Sequence, residues 1–388
     1  VELVTICGSK QGERVKTAPF RQPKCLTLIF VLVLSAAPIS MAIDDSEPVT
    51  QPMLPMVRAM GGAQTAVAMD EATVFYNPAG YSVIDDPITT ISVFDYSLNV
   101  DDSAISIYRA LIEGKNPFDP GNINTYLNNT TLGFGVTGPL YFGRVGNNFG
   151  FAFYDSGRFF LDTTPGALEP FAEYRAYTDL GFVGGFGFQV TRGFYAGFNL
   201  KVLLRLKSQL EGTAIQVIEI LESDAIPLAK SVGFGGDLGL LYRPLPWLSV
   251  GLNARDFFGT RFSSWEDISG SQNYPDSMIK PRIAAGLAFY PLRSGGERSS
   301  KNDLVVALDY ADLLETTSAL TQVKFGVMVR TLGFLDLRGG FDAGYLTGGI
   351  AFHLKFFHFG IAYFVDELGA FSGARPVQNL AFEFAFRW

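Results

Sequence analysis

The last nine residues, Leu-Ala-Phe-Glu-Phe-Ala-Phe-Arg-Trp, alternate without a break. Strand side chains point to opposite faces in turn. Leu380, Phe382, Phe384, Phe386 and Trp388 therefore share one face, and Ala381, Glu383, Ala385 and Arg387 the other. A soluble sheet would bury that aromatic row in a core. A transmembrane barrel turns it to lipid and gives the small and polar row to the lumen. The pattern recurs upstream. Phe194, Phe198, Leu200, Val202, Leu204 and Leu206 oppose Asn199, Lys201, Arg205 and Lys207, and Ile350, Phe352 and Leu354 oppose Ala351, His353 and Lys355. Beyond residues 25–42 there is no long apolar run, so helices cannot carry this pattern across a bilayer. A closed β-barrel is the remaining spanning solution, because lipid cannot satisfy an open sheet edge.

Such runs give about fourteen antiparallel strands, an even number as bacterial outer-membrane barrels show. The expected strands are 88–99, 130–141, 147–160, 172–190, 193–208, 231–243, 247–256, 280–291, 302–312, 320–331, 333–341, 346–355, 357–366 and 378–388. Their connections alternate in length. "GRVGNN", "TRG", "RPLPW", "TLG" and Phe356/Phe357 are short, whereas 99–129, 208–230, 257–279 and 366–377 are long. Short periplasmic turns and long external loops have this parity. The 42 Gly and 35 Phe suit one large closed sheet, and the net charge of -8 with no basic stripe excludes a nucleic-acid partner.

The N-terminus reads as three parts. Arg21 and Lys24 precede an apolar run over 25–42 that ends with Ser40 and Ala42 at cleavage spacing, so 1–42 is expected to be a signal peptide with an N-terminal extension. Cys7 and Cys25 both precede that point, which leaves no disulfide, Cys nucleophile or thiolate metal site after cleavage. Residues 43–87 are expected to form a hatch inside the lumen, and 88–388 the barrel. The stretch "RAMGGAQTAVAMDEATVFYNPAG", Arg58 to Gly80, carries the hatch reading. It is small and compact rather than alternating. Gly61, Gly62 and the alanines permit close packing, and Asn77-Pro78-Ala79-Gly80 turns the chain into the first strand. Larger barrel lumens are commonly plugged.

These residues carry a resemblance. "MGGAQTAVAMDEATVFYNPAG" resembles the N-terminal signature of FadL-like outer-membrane proteins, the long-chain fatty acid transporter superfamily. The C-terminal half, "LDLRGGFDAGYLTGGIAFHLKFFHFGIAYFVDELGAFSGARP", resembles the subgroup of spirochaetal and TraF-like conjugal-transfer members. The resemblance implies a fourteen-stranded barrel, an N-terminal hatch with its Asn-Pro-Ala element at Asn77, Pro78 and Ala79, and passage of hydrophobic molecules such as long-chain fatty acids. The chain is shorter than the fatty acid transporters, so their substrate-site residues do not carry over.

Two external segments have helical apolar spacing, Ile105, Tyr108, Leu111 and Ile112 in one and Ile215, Ile218 and Leu221 in the other. They are expected over the barrel mouth, either as a cap or as a site of ligand capture. Lys201, Arg205, Arg255, Arg282 and Arg330 are expected to face the lumen. There they either pair with Asp and Glu or receive a ligand carboxylate. Phe386 and Trp388 end the lipid-facing row, where the barrel-assembly machinery would read them. No enzyme, cofactor or metal is expected. "GFGVTG" at 133–138 lacks the following helix a dinucleotide loop needs, His353 and His358 are the only histidines, and no nucleophile elbow or zincin motif occurs. The expected function is uptake of hydrophobic small molecules across the outer membrane, in contact with its lipid. The alternatives are a barrel serving as a secretion or conjugation partner, and a general porin.

Overall fold

The computed structural model describes residues 52, 54–223, 226–269, 274–293, 302–315, 318–369 and 371–388. The signal peptide expected over 1–42 lies outside them. Among the described residues the chain forms one antiparallel sheet of fourteen staves that closes on itself. They are β1 (Ile88–Asn99), β2 (Thr131–Thr137 and Tyr141–Gly146), β3 (Phe149–Thr164), β4 (Phe171–Thr191) and β5 (Phe194–Thr213). Next come β6 (Ala229–Leu245), β7 (Leu248–Arg255, continued by Thr260–Phe262 and Glu266–Asp267) and β8 (Ser277–Ile279 and Arg282–Phe289). The ring is completed by β9 (Asp303–Tyr310), β10 (Val323–Thr331), β11 (Leu335–Asp342), β12 (Tyr345–Leu354), β13 (Phe357–Glu367) and β14 (Pro376–Arg387). β14 returns to pair with β1, from Thr90 opposite Arg387 to Asn99 opposite Asn379, so no edge is left open.

Closure explains the alternation. Phe182, Phe186, Phe198, Leu200 and Phe234 stand exposed on the outside, while Ala381, Glu383 and Ala385 are buried toward the lumen. Both faces of β5, β12 and β14 are as the alternation predicts. "GFGVTG" lies in β2 and its end, as strand rather than phosphate loop.

The wall is uneven in height. β4 and β5 have 21 and 20 residues, but β9 and β11 have 8 each. A tilted stave needs roughly 9–11 residues to cross a bilayer. The tall side therefore projects by about ten residues, on the order of 30 Å along the strand. Sequence reading took part of this projection, 208–213 and 260–267, for loop. It also expected "GRVGNN" as a turn, yet strand continues to Gly146 and only Asn147 and Asn148 turn. The parity of connection lengths has one exception at the mouth end, where β11 and β12 meet through Ala343 and Gly344 alone.

The external helices α3 (Asp102–Ile112), α4 (Ile123–Tyr126) and α5 (Ala214–Glu222) exist, but the mouth is not where they pack. Thr213 and Gln216 start α5 with a reciprocal capping box. Ile107, Ile123, Leu127, Val217 and Ile218 form one apolar cluster with Leu132, Leu161, Tyr174 and Leu210 of the tall strands. In the unbroken registers of β2 to β5 those four positions fall on the same face as the outward row of Phe134, Phe182 and Phe198. The helices thus form a shoulder on the outside of the projecting wall. Of the expected stripe residues, Ile218 is buried in this shoulder and Ile215 and Leu221 are half-buried, whereas Ile105 and Leu111 are exposed and Tyr108 is half-buried. α3 instead buries Ala104, Ile107 and Ala110.

Candidate functional site

The lumen is occupied by the chain that precedes β1. Two short helices, α1 (Pro55–Ala59) and α2 (Thr73–Tyr76), and a 3-10 turn (Pro78–Val83) make up this hatch. None is long enough to be stable alone, so side-chain docking onto the wall must hold them. The docking runs round the barrel. Arg58 pairs with Asp342 of β11 at 3.3 Å and with Asp366 of β13. The backbone N–H groups of Gln64 and Thr65 both donate to Asp309 Oδ2 of β9 at 2.7 Å. Asn77 Nδ2 donates to the carbonyls of Thr65 and Leu240, at 2.7 and 3.1 Å, while its Oδ1 accepts from Ala79 N. Tyr81 donates to Asn199 of β5 at 2.7 Å. Glu71 pairs with Arg387 of β14. Burial pushes the Glu71 carboxyl up to about 7, against the pull of Arg387.

Space for the hatch is made by lumen-facing glycines of the wall. A Cβ on Gly239 would stand 2.1 Å from Asn77 Oδ1, and one on Gly197 would stand 2.4 Å from Pro78. Gly150 receives the Tyr81 ring and Gly326 the Met60 backbone in the same way. On the hatch side Gly61 has φ +63° and lies so close to the Phe325 carbonyl that a Cβ would come within 2.4 Å of it. Both conformation and space demand glycine there. Gly62 has φ +73°, and Gly80 lies against Thr73 and Ala68. Arg58, Gly61, Gly62, Asn77, Pro78, Ala79 and Gly80 thus converge on one docked unit. Sequence reading missed the wall residues that receive it, namely Asp309, Asn199, Thr347, Arg338 and the glycines. A strand glycine on the lumen face was the available signal.

Beside the hatch a cavity of about 260 Å³ is lined by Arg58, Tyr76, Arg158, Arg255, Arg282 and Lys324, with Asp309, Asp312 and Glu315. The five expected lumen cations divide between pairing and cavity. Arg205 is fully buried and bound to Asp179 at 2.8 and 2.9 Å, Lys201 lies 2.7 and 2.9 Å from Asp237 and Asp256, and Arg330 binds Asp336 at 2.6 and 2.7 Å. These three are structural. Arg282 reaches Asp312 only at 4.0 Å, and Arg255 stacks on Tyr76 at 5.6 Å. Among the described residues neither Arg255 nor the unexpected Arg158 makes an ion pair. A pocket with unpaired guanidiniums suits a carboxylate or another small anionic head.

β2 is interrupted at 138–140, where Pro139 and Leu140 are exposed. At the break the N–H groups of Gly138 and Leu140 leave the ladder and donate to Asp155 Oδ1 of β3, at 2.8 and 3.2 Å. β1 bulges opposite it, between Ser92 and Phe94. Both halves of β2 pair with β1 and β3 up to the break, which Asp155 bridges.

Solved structures share this architecture. A TodX monoaromatic hydrocarbon channel carrying the deltaS2S3 mutation aligns with a TM-score of 0.50 at 12% identity, over 87% of this chain and 98% of that one. The chain has the fold of that channel. The toluene transporter TodX of Pseudomonas putida aligns with a TM-score of 0.47 at 13% identity, over 87% of this chain and 98% of that one. A FadL homologue of Pseudomonas aeruginosa gives 0.43 at 11%, over 89% and 99%. No family profile and no curated protein matches the sequence. The shared architecture is a fourteen-stranded antiparallel barrel with an N-terminal segment ahead of it.

Proposed function

We propose that this chain is an outer-membrane channel for uptake of amphiphilic hydrophobic molecules, with long-chain fatty acids as the leading substrate class. The observation that carries the reading is the basic cavity beside a docked hatch. Arg158, Arg255 and Arg282 would receive the ligand's carboxylate, and undocking of the hatch would open the way inward. The outward aromatic belt fits outer-membrane lipid, and Phe386 and Trp388 complete the strand that the barrel-assembly machinery would read. Export would remove residues 1–42. The exposed Ile105 and Leu111 of α3, with Ile215, Ile218 and Leu221 of α5 in the shoulder beneath, would gather apolar ligand from outside the rim. The interrupted stretch of β2 is the side route by which an acyl chain would leave. No bond is made or broken.

Liposomes containing the purified barrel should take up a labelled fatty acid faster than a neutral hydrocarbon of equal length. Equal rates would remove the head-group site. Large steady ohmic conductance in a planar bilayer would instead favour a porin. Stoichiometric copurification of an envelope protein, with no uptake, would favour the partner reading that the TraF-like resemblance raises.

A further inference from the structure

The outward face of the tall wall changes character at one level. On β4 the outward positions Thr178, Leu180, Phe182, Phe186 and Phe188 are exposed or half-exposed, and residues 178 to 188 make a span of eleven. Their outward neighbours on β5, from Phe198 to Leu206, are exposed or half-exposed as well. A tilted stave needs roughly 9–11 residues to cross the apolar layer of a bilayer. The uncovered row therefore accounts for the whole crossing. The next outward residues up the wall, Ala176 and Ser208, stand opposite each other and are buried. Beyond them Tyr174 and Leu210 belong to the shoulder cluster. On β2 the same change falls between exposed Phe134 and Leu132 of the cluster. No bare stretch of strand separates the lipid-facing row from the shoulder, so the shoulder rests at the level of the lipid head groups.

α3 lies across the staves at that level. It starts beside the β1–β14 seam, where the Val100 N–H donates to the Gln378 carbonyl, and it brings Ile107 into the cluster with Leu132 of β2 and Leu161 of β3. The helix has three faces rather than two. Ala104, Ile107 and Ala110 are buried against the wall. At 3.6 residues per turn, Ile105, Tyr108 and Ile112 fall about 100–160° round from Ile107, while Asp102, Ser106, Arg109 and Glu113 fall about 200–260° round, on the opposite flank. Ile112 is 87% exposed, Ile105 is exposed and Tyr108 is half-buried. Asp102, Arg109 and Glu113 are exposed as well. A helix laid across an upright wall turns one flank toward the bilayer and the other away from it. Aligned apolar side chains are costly to leave in water and stable at a lipid boundary.

We propose that α3 is an interfacial anchor, with its Ile105, Tyr108 and Ile112 flank seated in the outer leaflet of the membrane and its Asp102, Arg109 and Glu113 flank in water. Such helices bury their apolar side about 5–10 Å into the boundary between head groups and acyl chains. Tyr108 suits that level, because its ring is apolar and its hydroxyl stays among the head groups. Packing of Ile107 with Leu132 and Leu161 fixes the helix to the wall, so the anchor holds the tall side of the barrel at one depth. The anchor depends on the barrel standing in a bilayer and not on which molecule passes through it.

Nitroxide labels on single cysteines test the seat. Cys7 and Cys25, the only two cysteines, are changed to Ser. Ile105→Cys and Ile112→Cys are compared with Asp102→Cys and Glu113→Cys, each as a heat-modifiable barrel in dioleoylphosphatidylcholine liposomes. Accessibility is read by electron paramagnetic resonance with oxygen, which concentrates in lipid, and with a neutral nickel chelate, which stays in water. The ratio of oxygen to nickel accessibility should be several-fold higher at 105 and 112 than at 102 and 113. The same ratio on both flanks overturns the anchor. Poor access of both reagents to 105 and 112 overturns it too, because protein rather than lipid would then cover them. Should a labelled variant fail to fold, the unaltered barrel decides, in liposomes of the same lipid with a phosphatidylcholine that carries a diazirine high in its acyl chain. Photolysis should attach lipid within α3 as well as on the lipid-facing strands. Adducts on the strands alone overturn the anchor.

Discussion

The hatch and the shoulder are both short helices laid against one wall, the hatch on its inner face and the shoulder on its outer face, and they differ in what is added to apolar contact. The shoulder is apolar packing, with Ile107, Leu127, Leu210 and Val217 in one cluster. It resembles a small core, and such contacts are non-directional and separate only at the cost of exposing hydrocarbon. The hatch also packs apolar side chains on the wall, with Val57, Val74, Phe75 and Tyr81 against Tyr141, Tyr154, Val183 and Leu203, and it adds a seat of wall glycines and a ring of directional bonds to Asp309, Asn199, Asp342 and Arg387. Water can replace such bonds but not the apolar contact beneath them. The difference teaches that directional bonds fix the seat of the hatch, whereas apolar contact places the shoulder.

The largest break in that comparison is removal of the hatch. Deleting Arg58–Gly80 leaves every strand pairing intact, so the barrel should fold and its conductance in planar bilayers should rise several-fold or more. Failure to give a heat-modifiable barrel would make the segment structural. Gly239→Val is the milder version. Its side chain meets Asn77 Oδ1, so the hatch should be displaced and conductance should approach that of the deletion. A closed Gly239→Val barrel would show that the Asn77 seat is not needed.

Next in size is Asn77→Ala. It removes two bonds to the carbonyls of Thr65 and Leu240 and the cap on Ala79, worth about 1–3 kcal/mol. Open probability should rise roughly tenfold or more, with barrel melting unchanged. The matching shoulder variant, Val217→Ser, should do the reverse. Losing a buried apolar side chain costs about 1–3 kcal/mol locally. Protease should then cut within α5 faster while conductance stays the same. If Val217→Ser gated the channel, the shoulder would belong to the gate.

How much of this the sequence shows depends on the kind of force. Strand faces were legible, because a lipid-facing side makes alternation nearly perfect in β5 and β14. The shoulder helices were legible as helices, from Ile215, Ile218 and Leu221 spacing, but not as a shoulder. A stripe tells that something covers it, not which face of which strand. The tall wall was read as loop over 208–213 because Ser208-Gln209-Leu210-Glu211-Gly212 loses the aromatic rhythm once the strand leaves lipid. Partner identities were not legible at all. Lys201 meets Asp237 and Asp256, and Arg58 meets Asp342 from 284 positions away, through closure of the barrel rather than local spacing. Arg158 was missed as a cavity cation because its neighbours Phe159 and Phe160 blur the alternation of β3.

The smallest expected effect concerns capture. Changing exposed Ile105 and Leu111 of α3 to Ser should lower uptake at limiting ligand by a few-fold and leave equilibrium affinity in the lumen unchanged. Extending the change to Ile218 and Leu221 should disturb the shoulder as well. Unaltered uptake in a folded Ile105→Ser/Leu111→Ser variant would confine the helices to packing.

The basic cavity is the heart of the account, and equilibrium binding tests it most directly. Affinity for a fluorescent fatty acid is measured on folded Arg158→Gln/Arg255→Gln barrels beside the unaltered protein, with a neutral alcohol of the same chain length as control. Each charge-assisted bond is worth about 1.5–3 kcal/mol. The double variant should therefore bind the acid more than tenfold more weakly and the alcohol equally well. Equal affinity of both barrels for the acid would contradict a head-group site in the lumen.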